Sequence, residues 1–202
     1  MPSILQTVRY ALKRPPTVLR AGHPLLRLKA DPVSPAELTT PKFKKIVSQM
    51  KEVFSSPYTP VIGLSAPQIG HSVRLIAVQV TDSKTLKEKN MKPFPLTFMV
   101  NPEVTIVDTD ARNWVSDYES CESVPSYNAL VKRAESVKVK SLDLDGKEVS
   151  NEFHGLLARI VQHEVDHLDG KLYIDCMDHG SLRHDKYIDQ FEIHTRTKPK
   201  RK

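Results

Sequence analysis

Apolar residues recur at helical spacing in two stretches of the chain and in strand-like runs elsewhere. After Thr40-Pro41, the positions Phe43, Ile46, Val47, Met50, Val53 and Phe54 share one helical face, with the threonine as N-cap and the proline as first helical residue. That pattern predicts a helix over about 41–55. The small residues and proline of Val61 to Gly70 predict an irregular loop that brings backbone close to a ligand. Val73 to Val80 is apolar, β-branched and of strand length. The lysine-rich residues 82–96 predict a surface loop, and Thr97 to Val107 predicts extended structure broken at Asn101-Pro102. Val137 to Leu144 alternates, Asp145-Gly146 turns the chain, and Lys147 to Val149 follows, a hairpin pattern. From about Phe153 to Leu168 the helical period returns, with Gly170 placed to end it. The expected fold is α+β, a single domain of short, mostly antiparallel strands packed around that last helix.

Composition narrows the class. A chain of 202 residues with 39% hydrophobic and 27% charged residues is long enough for one sizeable core and lacks the bias of disordered or fibrous proteins. No apolar run approaches the ~18 residues that would span a bilayer, so a soluble protein without a membrane span is expected. The net charge of +6 is unevenly placed: residues 194–202 hold five Lys or Arg, residues 1–30 hold six, and neither segment holds an acid. Residues 31–193 therefore carry −5, and a specific nucleic-acid role is not expected of the body. A basic tail can attract a ribosome electrostatically, but solvated residues are the simpler reading of 179–202. Residues 1–16 place Ile4, Leu5, Val8 and Leu12 on one helical face beside Arg9 and Lys13, and so resemble a mitochondrial import segment. Two cysteines are too few for a disulfide framework and favour a reducing compartment.

The chemistry concentrates in His163-Glu164-Val165-Asp166-His167. At about 3.6 residues per turn, imidazoles four apart stand nearly above one another and reach one metal ion, with Glu164 beside it. Two protein ligands do not hold a metal, and a catalytic site takes a third while keeping a position for water. Cys121, in Glu119-Ser120-Cys121-Glu122-Ser123-Val124-Pro125, is the stronger candidate for that third ligand, with Cys176 as competitor. His154, His179, His184 and His194 lack matching spacing and are read as non-ligands.

Three ordered segments, Gly63-Leu64-Ser65-Ala66-Pro67-Gln68-Ile69-Gly70, Glu119 to Pro125 and Gln162 to Gly170, resemble the three motifs of peptide deformylases. The likeness runs over about residues 17–178, from Thr17-Val18-Leu19-Arg20 onward, and the Cys-Glu-Ser form of the middle motif is similar to the mitochondrial branch. The resemblance implies a translation-linked hydrolase of the mitochondrial matrix that removes the formyl group from N-formylmethionyl nascent peptides. It implies one divalent metal, Fe(II) in the cell, although affinity ordering favours zinc, and cobalt or nickel can also occupy such ligands in purified protein. It further implies Glu164 as general base, the Gln68 side-chain amide and the Glu122 backbone N–H as oxyanion donors, and the backbone at Ile62 and Gly63 as the strand that aligns substrate. Gln162, Asp166 and a Glu119–Arg133 ion pair are candidates for orienting the ligands. A homodimer is compatible with the family.

The chain departs from the family pattern at Ser120, where glycine is usual, and more mildly at Val61 and Ser65. Serine costs on the order of 1 kcal/mol if that backbone needs φ > 0, and intrudes if substrate packs there. Ser120 therefore motivates an alternative, a catalytically weak or inactive metal-binding paralogue that binds nascent N-termini. A zinc protease is a further reading that leaves the first two motifs unexplained.

Overall fold

A computed structural model describes residues 16–57 and 60–187. The single turn α1 (Pro35–Leu38) leads into α2 (Pro41–Phe54), where the Thr40 hydroxyl accepts the Phe43 N–H at 3.2 Å and fixes the helix start. Phe43, Ile46, Val47, Met50 and Val53 are buried, as their spacing requires.

Five strands, β1 (Gly63–Ser65), β2 (Leu75–Val80), β3 (Phe94–Ile106), β6 (Ser136–Leu142) and β7 (Glu148–His154), form one sheet in the order β1-β2-β3-β6-β7. A second sheet has the order β4-β5-β8, from β4 (Val115–Cys121), β5 (Val124–Arg133) and β8 (Arg183–His184). Every pairing between these strands is antiparallel. The central helix α4 (Gly155–Leu168) contacts β1, β2, β3, β6 and β7. Its apolar residues Ala158, Val161 and Leu168 join Ile76, Val78, Met99, Val137 and Phe153 in the core beneath it. This is the α+β architecture that the pattern predicts.

The ends of α4 are set by backbone geometry. Gly155 takes φ 56 directly after extended His154, which turns strand into helix within one residue. At the other end Gly170 takes φ 72, and a Cβ there would stand 2.7 Å from the Arg27 carbonyl oxygen. The Ala30 N–H donates to the Leu168 carbonyl at 2.8 Å, so the incoming N-terminal segment caps the helix.

Four expectations change. Residues 61–70 hold a strand and a 3-10 turn (Ala66–Ile69) rather than irregular chain, because Gly63 to Ser65 pair with Val78 to Ile76. The lysine-rich segment contains helix α3 (Ser83–Glu88), capped by the Asp82 carboxylate on the Thr85 N–H at 2.7 Å. Strand β3 runs through Asn101-Pro102 with a register shift between Val100 and Glu103. Residues 179–187, read as tail, contribute 3-10 turns and β8, whose Arg183 and His184 pair with Asn128 and Tyr127. Residues 1–15 and 194–202, with the expected import segment and basic run, lie outside the described residues.

Asn101 explains how β3 survives its bulge. It holds φ 50, which asparagine tolerates, while its side-chain amide accepts the Val33 N–H at 2.8 Å and donates to the Val33 carbonyl at 2.7 Å. Asn101→Ala loses both bonds and the tolerated backbone, and should lower the unfolding free energy by about 2–3 kcal/mol in urea titration. Asn101→Gly, which relieves the backbone but not the bonds, should fall between the two.

Candidate metal centre

Helical spacing places Ile160, His163, Glu164 and His167 on one face of α4, and strand β4 ends against that face at Cys121. The Cys121, His163 and His167 donor atoms all lie within 4.8 Å of one another, and all three residues are buried. Cys121 Sγ is 3.3 Å from His167 Nε2. Among the described residues this is the only group of three or more such side chains placed to share a metal, and Cys176 is outside it, exposed on the surface. His154, His179 and His184 are also outside it, and His194 lies beyond the described residues.

The expected ion pair is present and extended. Glu119 is buried, with Oε1 accepting Arg133 Nε at 2.9 Å and Oε2 accepting Arg133 Nη2 at 3.0 Å. Oε2 also meets His163 Nδ1 at 3.0 Å, which leaves the Nε2 of that ring for the centre. Arg133 reaches on to Asp166 at 2.5 Å. Burial alone would raise the Glu119 carboxyl, but the His163 and Arg133 bonds outweigh it and hold the group down at about 2. Burial likewise opposes a charged His163, yet its contacts to Cys121 and Glu119 lift it well above the ordinary histidine range. Burial, the largest effect, together with the neighbouring His163 and Arg133 charges pushes His167 well below that range.

Glu164 has a different environment. Burial, the largest effect, pushes its carboxyl up to about 7, and Oε2 has no hydrogen-bond partner among the described residues. Gly63 makes this placement possible. A Cβ at residue 63 would collide with Glu164 Oε1 and stand 2.7 Å from Ile160 Cγ2, so only glycine allows β1 to run so close to the helix.

The Gln68 side chain is oriented at both ends. Its oxygen accepts the Ser65 N–H and the Ser65 hydroxyl, each at 2.9 Å, and Nε2 is directed at Cys121 Sγ (3.5 Å) and Ser123 Oγ (3.3 Å). The N-terminal segment ties the two loops together: Leu19 N–H donates to the Gln68 carbonyl at 2.8 Å and Ala21 N–H to the Ser123 carbonyl at 2.7 Å. Arg20 donates to the Glu122 carbonyl. Gln162 does not reach the donor set; its amide brackets the Ala134 backbone, accepting the N–H at 3.1 Å and donating to the C=O at 2.9 Å.

A cleft of about 170 Å³ opens over the centre, between Ile62 and Gly63 on one side and Ser120 and Cys121 on the other, with Glu164 at the helix face. β1 and β4 are each the edge strand of their sheet among the described residues, so an extended peptide entering here meets two strand edges. Ser120 is exposed on β4, and its φ is not among the positive values, so the backbone cost considered above does not arise.

The polypeptide deformylase family model matches residues 15–182, more than four-fifths of the chain. The chain belongs to the polypeptide deformylase family. Similar deformylases include the mitochondrial peptide deformylase of Homo sapiens, 35% identical over 168 residues that make up 80% of this chain and 67% of that protein. The peptide deformylase of Dictyoglomus turgidum is 36% identical over 170 residues, 84% of this chain and 97% of its own length. Among solved structures, a class I type b peptide deformylase of Acinetobacter baumannii bound to Met-Ala-Ser superposes with a TM-score of 0.70 at 35% identity, covering 79% of this chain and 96% of that one. An actinonin complex of a Synechococcus elongatus deformylase gives 0.68 at 30% identity, covering 82% and 80%. Deformylases are metalloenzymes, and the donor chemistry fits: one thiolate and two imidazoles suit a borderline divalent metal, and the unpartnered Glu164 oxygen beside them suits an open coordination position.

Sequence reasoning missed Arg159, which is buried beside Glu119. The signal available was its position, four residues before His163 on the face that carries the donor set. Two substitutions follow from this geometry. Gly63→Ala should displace the Glu164 carboxylate and cut turnover roughly 100-fold or more, since an ångström of misplacement is enough, with metal content by atomic absorption unchanged. Ser120→Gly should fail to stabilise the protein in a thermal melt, because a strand residue outside the positive-φ region has no such strain to relieve and glycine costs up to ~1 kcal/mol there.

Proposed function

We propose that this protein is a mitochondrial peptide deformylase that hydrolyses the formyl amide of N-formylmethionyl nascent polypeptides. One juxtaposition carries the reading: an unpartnered Glu164 carboxylate oxygen next to a Cys121–His163–His167 donor set, at the floor of a cleft flanked by two strand edges.

Cys121, His163 and His167 would hold one divalent ion, Fe(II) in the cell by family likeness, with zinc, cobalt or nickel acceptable to the same donors. When bound, such an ion supplies Lewis acidity, polarising the formyl carbonyl and lowering the pKa of a water. Glu164 accepts the proton of the attacking water and returns it to the amine nitrogen as the C–N bond breaks, releasing formate and a free N-terminus. Gln68 Nε2–H and the Glu122 backbone N–H donate to the oxyanion that develops on the formyl oxygen. The grip of Ser65 on the Gln68 oxygen supports this assignment, because the amide is held before substrate arrives. Backbone at Ile62 and Gly63 aligns the peptide as an added strand, giving affinity without demanding particular downstream side chains. Residues 17–178 are the catalytic unit in this reading. Residues 1–16 direct import into the matrix, and the basic ends attract the ribosome.

Protein loaded without oxygen with Fe(II) or Co(II) should deformylate formyl-Met-Ala-Ser. Glu164→Ala should lower kcat by roughly 100- to 10,000-fold with one metal still bound per chain. Gln68→Leu should lower kcat by roughly 100- to 1,000-fold with little change in KM. Turnover surviving Glu164→Ala would contradict the assigned roles; a metal-loaded wild type without turnover would contradict the function.

A further inference from the structure

Arg159 sits one helical turn before His163, and its guanidinium reaches from α4 across to the second sheet. The side chain is buried. Nη1 donates to Glu119 Oε1 at 2.7 Å and to the Val131 carbonyl at 2.9 Å, while Nη2 donates to the Val115 carbonyl at 2.7 Å. One residue of the helix thereby fastens the backbone of both β4 and β5, and grips the carboxylate that contacts a ligand ring. Arg159 also lines the substrate cleft.

The contribution of Arg159 differs from that of Arg133. Arg133 forms a two-bond fork with Glu119 but is rooted in β5, in the same sheet as Glu119, and reaches the helix only by way of the Asp166 carboxylate. Arg159 adds a bond to Oε1 from the element that carries His163. Oε1 is engaged by both guanidiniums, whereas Oε2 accepts Arg133 Nη2 and faces His163 Nδ1. Arg133 and Arg159 both stand against Glu119, and Arg133 also stands against Asp166. Without Arg159 the buried Glu119 carboxylate loses a charge-assisted bond.

We infer that Arg159 is a positioning residue for the metal centre: acting through Glu119, it fixes the orientation of the His163 ring from the wall of the substrate cleft. The inference rests on His163 being a ligand, as proposed above.

The test uses the full chain as wild type, Arg159→Met, Arg159→Lys and His163→Ala. Zinc affinity is measured by competition with a chromophoric chelator, the visible absorption bands are recorded with Co(II), and kcat and KM are measured with formyl-Met-Ala-Ser. Arg159→Met should weaken zinc binding roughly 10- to 100-fold and shift the cobalt bands. Arg159→Lys, which keeps the charge but lacks the fork, should fall between it and wild type. His163→Ala should lose the metal. Wild-type affinity and cobalt spectrum in Arg159→Met, with metal lost in His163→Ala, overturns the role of Arg159 alone. Metal retained at wild-type affinity in His163→Ala overturns the ligand reading beneath it. A change confined to KM makes Arg159 cleft wall only and also overturns the inference. Should Arg159→Met fail to fold, Arg159→Lys decides by the same two readouts, and wild-type values there overturn it.

Discussion

A carboxylate removed from water costs several kcal/mol unless donors replace its hydration, and Glu119 is buried between a sheet and a helix with that replacement supplied by Arg133, Arg159 and His163. Much of the centre depends on this compensation. Glu119 lies two residues before Cys121 on β4, and its partners lie on β5 and α4. The same bonds that satisfy the charge hold the sulfur donor against the helix that carries the two imidazoles. Removing one partner would leave a buried charge uncompensated, which is worse than never having built the pair.

Strand register is the second condition. Glu119 pairs with Ala129, and an irregularity between Ser120 and Cys121 brings Cys121 opposite Val124. Side chains alternate faces along a strand, so a slip of one residue would exchange Glu119 and Cys121 for Ser120 and Glu122 on the face toward α4. On the opposite side, Gly63 lets β1 approach Glu164 more closely than any side chain would permit. The cleft is thus the space between two edge strands that one helix holds apart.

Local patterns were legible in the sequence where they sufficed. Helix α2 announces itself through an apolar stripe and a Thr-Pro start, and the His163-Glu164-x-x-His167 spacing fixes two donors on one face without tertiary information. The β6–β7 hairpin is also legible, although its turn is a five-residue loop organised by the Asp143 carboxylate, which accepts the N–H groups of Asp145 and Lys147 at 2.9 Å each. Features decided by distant contacts were not legible. Helix α3 buries none of its residues and so leaves no apolar period. The passage of β3 through Asn101 depends on Val33, and β8 exists only by pairing with β5. Arg159 on an amphipathic helix reads as a solvated charge until the Glu119 carboxylate is placed beside it. The sequence already favoured Cys121 over Cys176 as third donor, and laying β4 against α4 brings its sulfur within 4.8 Å of the imidazole donors.

The claim on which the account rests is that two imidazoles and the single thiolate of Cys121 converge on one ion. X-ray absorption at the zinc edge of the zinc-loaded protein tests it most directly. One sulfur at about 2.3 Å with nitrogen scatterers at about 2.0–2.1 Å, the sulfur vanishing in Cys121→Ser and persisting in Cys176→Ser, is the expected result. A shell without sulfur, or a sulfur that survives Cys121→Ser, would contradict the account.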